Sequence, residues 1–191
     1  MIALQVGAKQ EAFDLFYMDG SGFSTLPNVQ RAWSPLGVTH VADASLGRKR
    51  LNVLGALQYG ETPHLWYESS FGNVCAETVI GFVDRLAART DPTRISIVVL
   101  DNASVHHAIP QETRDHWLLA HLLALFVLPP YSPELKLIVI VWKHGKYHWR
   151  RFASWSANQL KTEVHALLDG FGSKYKISFA RLLNTEYILT S

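Results

Sequence analysis

Residues 95–106 read ISIVVLDNASVH. The continuous apolar run at residues 95–100 is typical of a strand that is buried on both faces of a sheet. Asp101 follows the run directly, and open α/β sheets bind their ligands beyond the carboxyl ends of such strands. This segment therefore predicts an α/β fold with Asp101 in a candidate functional site.

Strand-like and helix-like segments alternate along the chain before and after this strand. Residues 13–18 form a short apolar run, which we expect to stop at the turn-forming cluster Asp19-Gly20-Ser21-Gly22. Further strands are predicted at residues 31–33, 39–41, 50–59, 65–68 and 123–128, and helices at residues 76–88, 111–122 and 159–168. The order predicts an antiparallel meander followed by strands that alternate with helices.

Composition limits the class of protein. The 191 residues, with 48% hydrophobic and 18% charged, fit one folded domain and exclude extensive disorder. Cys75 is the single cysteine, so an intramolecular disulfide and a cysteine-based zinc cluster are excluded. No apolar stretch is long enough to span a bilayer, and residues 1–10 lack the pattern of a signal peptide. We therefore expect a cytoplasmic protein with no membrane partner.

The charge distribution is more informative than the net charge of +2. Between residues 136 and 161 every charged side chain is basic, and the block could contact a phosphate backbone or simply be a solvated helix face. The block consists of Lys136, Lys143, Lys146, Arg150, Arg151 and Lys161.

Three motifs carry residues suited to chemistry. They are Asp19-Gly20-Ser21-Gly22-Phe23, then Asp101-Asn102-Ala103-Ser104-Val105-His106, and then Leu128-Pro129-Pro130-Tyr131-Ser132-Pro133-Glu134-Leu135 followed by Ile138 and Trp142. Together they resemble the catalytic domain of the DDE transposases of bacterial insertion sequences, in the branch related to mariner elements. The resemblance continues through residues 48–53 and 171–175 and covers nearly the whole chain.

The resemblance implies an RNase H-like fold, with a mixed central sheet flanked by helices, as a single domain over residues 1–191 that lacks the family's N-terminal helix-turn-helix region. It also implies DNA as the partner, a possible homo-oligomer, and a bacterial cytoplasmic location. Two divalent cations, Mg²⁺ or Mn²⁺, would be held by two Asp and one Glu and would drive DNA strand cleavage and transfer. Asp19 and Asp101 match the first two catalytic and metal-binding positions.

The third acidic position departs from the family pattern. After Leu135 that pattern continues Asn, Pro, Ile, Glu, whereas this chain has Lys136, Leu137, Ile138 and Val139. The catalytic Glu therefore falls on Val139, which cannot bind a metal. Glu134 is a poor substitute, because five residues rotate it roughly 140° away around a helix. We expect strand cleavage to be weak or absent.

The same segment contains a local conflict. Ser132 and Pro133 suit the start of a helix, but the apolar run at residues 137–141 is rich in β-branched residues. The expected core face is Leu135, Ile138, Val141 and Trp142, which leaves Leu137 and Ile140 outside it. Gly145 should weaken this helix further.

Two other functions fit parts of the sequence. A non-catalytic module on the same scaffold could bind DNA through Lys143, Lys146, Arg150 and Arg151, or could bind another protein. A metal-dependent phosphoesterase could use Asp19, Asp101 and His106. His106 could contact a phosphate, or it could be an ordinary polar residue at the entry of a helix.

Overall fold

A mixed β-sheet forms the centre of the protein. The computed structural model describes residues 1–26, 48–130, 135–149 and 155–177. Within these residues the sheet has five strands in the order β3-β2-β1-β4-β5. β1 pairs antiparallel with β2 and parallel with β4, so the predicted mixed sheet is confirmed. The strands are β1 (Asp14–Ser24), β2 (Arg50–Tyr59), β3 (His64–Ser70), β4 (Ser96–Leu100) and β5 (Leu123–Val127).

Helices flank the sheet. The predicted helices at residues 76–88, 111–122 and 159–168 are confirmed with small changes at their ends, whereas the strands predicted at 31–33 and 39–41 lie outside the described residues. The part of the chain that the structure describes has no helix with the length and apolar character needed to cross a bilayer. The helices are α1 (Ile2–Lys9), α2 (Ala76–Ala87), α3 (Ser104–His107), α4 (Gln111–His121), α5 (Ile138–Lys143) and α6 (Ala157–Asp169), and a π-helical segment, His144–Trp149, follows α5 directly.

Each face of the sheet packs against its own set of helices, because successive side chains of β1 point in opposite directions. Leu15 and Tyr17 belong to the core under α5 and α6. Phe16 and Met18 belong to the core under α2 and α4. β1, in the middle of the sheet, is therefore apolar on both sides.

β1 is longer than its sequence predicts. The expected turn at Asp19-Gly20-Ser21-Gly22 is wrong, because β1 stays paired with β2 as far as the Ser24–Arg50 pair. Local turn preference is overridden by ten consecutive partners on the neighbouring strand. Asp19 consequently lies within the strand rather than at its end.

The segment around α5 also differs from its prediction. Ser132 and Pro133 lie outside the described residues, and α5 begins only at Ile138. Ile138, Val141 and Trp142 are buried as expected. Leu137 is buried too, contrary to prediction, because it precedes the helix and is not confined to the helical faces. Ile140 is half-buried.

α5 packs closely on β2 at Gly55. A Cβ atom at this position would lie 2.8 Å from the ring of Trp142 and 3.2 Å from Ile138. We therefore expect Gly55→Ala to destabilise the protein by about 1–3 kcal/mol, since the buried ring cannot move aside without disturbing α5. Thermal unfolding measures this as a lower Tm.

Gly20→Ala is the matched control for Gly55→Ala. A Cβ at Gly20 meets Leu54 at an ordinary 3.5 Å, so the change should stay within about 0.5 kcal/mol of the original stability. An equal loss of Tm in both variants would show that close packing at Gly55 is not the cause.

Candidate active site

Strand register brings Asp19 and Asp101 together. The parallel pairing of β1 with β4 ends at the pair Tyr17–Val99. Asp19 lies two residues after Tyr17, and Asp101 lies two residues after Val99. Two residues make one full repeat of a strand, so both carboxylates continue on the same face. The two predicted acidic positions therefore meet at the carboxyl end of β4.

A lysine ammonium lies between these carboxylates. Lys136 Nζ donates to Asp19 Oδ1 at 2.7 Å and to Asp101 Oδ2 at 2.8 Å. The Lys136 side chain is only 6% exposed, compared with 17% for Asp19 and 38% for Asp101. The expectation that Lys136 belongs to a basic surface block is thus wrong, because the side chain is buried against two acids.

The surroundings of Lys136 favour its charged form. Burial by itself would lower the pKa of the ammonium, but the charges and hydrogen bonds of Asp19 and Asp101 outweigh burial and raise the pKa. The two carboxylates therefore stabilise the charged form of a cation that the chain itself supplies.

His106 contacts the carboxylate oxygen of Asp101 that Lys136 does not contact. Its Nδ1 lies 2.9 Å from Asp101 Oδ1 and 3.0 Å from the Asp101 carbonyl oxygen, and its side chain is buried. The same carboxylate oxygen accepts the backbone N–H of Ala103 at 3.2 Å. The His106 hydrogen bond, opposed by burial and aided by Lys136, holds the pKa of Asp101 well below its usual range. His106 thus positions Asp101, while its predicted phosphate contact stays a prediction.

Position 139 carries no acid. Val139 is half-buried in the first turn of α5, and its N–H donates to the Lys136 carbonyl oxygen at 3.2 Å. It therefore lies one turn from the lysine that contacts both aspartates. Glu134, the other acid of this segment, lies outside the described residues.

These residues do not fit the two-metal site that the resemblance implies. Mg²⁺ prefers several oxygen ligands, and here two carboxylates already share an ammonium. Among the described residues no group of three or more His, Cys, Asp or Glu side chains could hold a metal ion. Lys136, Asp19 and Asp101 instead form a cluster of ion pairs whose carboxylates already have a cationic partner.

Two basic side chains follow Lys136 along the chain. Lys143 is exposed at the end of α5, and Lys146 is half-buried in the π-helical segment. Burial lowers the pKa of Lys146, the charge of Arg50 lowers it further, and Asp19 opposes both, which places these groups near one another. Arg150 and Arg151 lie outside the described residues.

Sequence reasoning missed the roles of Lys136 and Arg50. Lys136 is the single charged residue in the apolar run at 135–142, a signal that could have marked it as a buried ion-pair partner. The sequence does not indicate that Arg50 lies near Gly22 of β1. Only the pairing of β2 with β1 places its guanidinium there.

A family model described as DDE superfamily endonuclease matches residues 14–161. The chain belongs to this family. The match includes both aspartates, the His106 helix, and the segment that carries Lys136 and Val139. The resemblance of the three motifs to DDE transposases is thereby confirmed.

Solved structures share the fold of the DDE chain. The Mos1 transposase paired-end complex with left transposon end matches at 16% identity and a TM-score of 0.59, over 88% of this chain and 52% of that one. The Mos1 mariner paired-end complexes with Mn and with Mg match at 15% and 17% identity, each with a TM-score of 0.55. They cover 88% and 87% of this chain, respectively, and 52% of theirs.

The predicted RNase H-like fold is therefore confirmed, and the DDE chain spans about half the length of the Mos1 chains. No protein with a curated description matches it.

Proposed function

We propose that this DDE-family chain is a transposase-type DNA-binding domain in which metal-dependent strand cleavage and transfer is impaired. The observation that carries the proposal is the content of the site: Lys136 joins Asp19 and Asp101, and Val139 stands at the third acidic position. Loss of residues that merely orient metal ligands typically costs about 10–100-fold in affinity or activity, and loss of a ligand should cost more.

DNA binding is supported by the charges beside the site. Lys143 ends α5, which packs on β1 and β2, and Lys146 lies in the π-helical segment that follows, close enough to Arg50 and Asp19 to feel their charges. Ammonium and guanidinium groups attract phosphates without reading sequence. The neighbouring Mos1 structures include a complex with a transposon end, which agrees with this role. A homo-oligomer and a bacterial cytoplasmic location stay predictions.

Strand cleavage is tested by nicking of supercoiled plasmid in Mg²⁺ or Mn²⁺. We expect the unmodified chain and its Asp101→Ala variant to be equally inactive, because the site lacks an acidic third ligand. Gel electrophoresis of relaxed against supercoiled plasmid measures the result. Nicking by the unmodified chain that disappears in Asp101→Ala would contradict the proposed impairment.

DNA binding is tested by mobility shift of a duplex at several salt concentrations. We expect the affinity to fall with salt, and the double variant Lys143→Ala and Lys146→Ala to flatten the log–log slope by about 1.8, since each phosphate contact contributes about 0.9. Lys9→Ala, which removes an exposed lysine from α1, is the control and should keep the original slope. A DNA affinity that does not change with salt concentration would contradict the proposal.

A further inference from the structure

We infer that the Lys136 ammonium is the resident cation of this site, and that it excludes a divalent metal ion from the space between Asp19 and Asp101. This inference rests on the proposed function in one respect. It attributes the impaired strand cleavage to the ammonium that occupies the site as well as to the missing acid at position 139. It concerns metal binding by the free protein, so it is tested without DNA.

A metal ion between the aspartates would compete with the ammonium for the same two oxygens. One oxygen from each aspartate lies within 2.8 Å of the same nitrogen atom. Mg²⁺ needs its oxygen ligands at about 2.0–2.1 Å in a near-octahedral arrangement, usually with several waters. A metal ion bridging these two oxygens would therefore have to displace the ammonium.

The oxygens of Asp101 are already engaged. Oδ2 accepts from Lys136 at 2.8 Å, and Oδ1 lies 2.9 Å from His106 Nδ1 and accepts from the Ala103 N–H. A metal ion at Asp101 would have to compete with hydrogen bonds on both sides of the carboxylate. This arrangement stabilises the ionised acid without a metal.

Lys136 is held in place by its neighbours in the chain. Leu137 and Ile138 follow it directly and are buried in the core under α5. Its carbonyl oxygen accepts the Val139 N–H at the start of the helix. Because the backbone is anchored, the ammonium cannot leave the carboxylates through a simple movement of an exposed loop.

The experiment titrates Mn²⁺ into the full chain and follows free Mn²⁺ by electron paramagnetic resonance. We expect no saturable site in the unmodified chain or in the control Lys9→Met. Lys136→Met removes the ammonium and should bind Mn²⁺ at a saturable site, at least about tenfold more tightly than the weak, unsaturated binding of the unmodified chain. At ten times its dissociation constant Mn²⁺ should raise the Tm of Lys136→Met by about 3–6 °C.

Two outcomes would overturn the inference. One is saturable Mn²⁺ binding by the unmodified chain that Asp101→Asn abolishes, and this arm does not depend on how well any lysine variant folds. The other is folded Lys136→Met that binds Mn²⁺ no better than the unmodified chain. Neither outcome would alter salt-dependent DNA binding, and loss of DNA binding would leave the Mn²⁺ result unchanged.

Discussion

Mg²⁺-dependent nicking of supercoiled plasmid is expected from a chain that carries both Lys136→Asn and Val139→Glu, and from neither single variant. The first change removes the cation that occupies the site, and the second supplies the acid that the family pattern has at position 139. Val139→Glu alone leaves the ammonium between Asp19 and Asp101. Lys136→Asn alone leaves the third ligand missing. We expect the double variant to exceed the unmodified chain by at least about 100-fold.

The double variant is controlled by adding Asp101→Ala to it, which should abolish the gained nicking. Initial rates of plasmid relaxation, measured at equal protein concentration, compare all five chains: the unmodified chain, the two single variants, the double variant and the double variant with Asp101→Ala. If Val139→Glu alone nicks as fast as the double variant, the ammonium is no obstacle and the missing acid explains the impairment by itself.

Lys136→Met is expected to lower the Tm in metal-free buffer by about 5–15 °C. Removing one partner of a buried ion pair typically costs about 3–5 kcal/mol, because the remaining charges lose their compensation. Asp101 is 38% exposed, so water screens part of its charge and we expect about 2–4 kcal/mol. Thermal unfolding in the presence of a chelator measures the effect.

The control for this loss is Lys143→Met, which removes an exposed lysine seven positions along the chain and should change the Tm little. A double-mutant cycle with Asp101→Asn isolates the coupling. Lys136→Met should cost less when Asp101 is already neutral. An unchanged cost in that background would mean that the ammonium does not stabilise the fold through Asp101.

Much of the sheet is predictable because its strands have strong local patterns. Arg50–Tyr59, Ser96–Leu100 and Leu123–Val127 are apolar enough to be recognised without knowing their partners. The end of β1 is not predictable in this way. Gly20 and Gly22 favour a turn locally, and only the partner strand β2 keeps them extended.

The sequence predicts the two aspartates of the candidate site but not the lysine between them. Asp19 and Asp101 are recognisable from their motifs, and the register of β1 on β4 explains why they meet. The position of Lys136 is not recognisable, because the ammonium reaches Asp19 across 117 residues of sequence. A lysine in an apolar run predicts burial with a partner, but the identity of that partner depends on tertiary structure.

The position of β1 in the middle of the sheet has a consequence for the kinetics of folding. β2 and β3 are joined by residues 60–63 and can pair early, whereas β1 must find β4 across a long crossover. Closing long loops costs entropy before distant contacts repay it, so folding through such contacts is slow. The contact of Lys136 with both aspartates requires β1, β4 and α5 to be in place, which makes the ion cluster a late event. Substitutions in this cluster should therefore accelerate unfolding while leaving the refolding rate nearly constant.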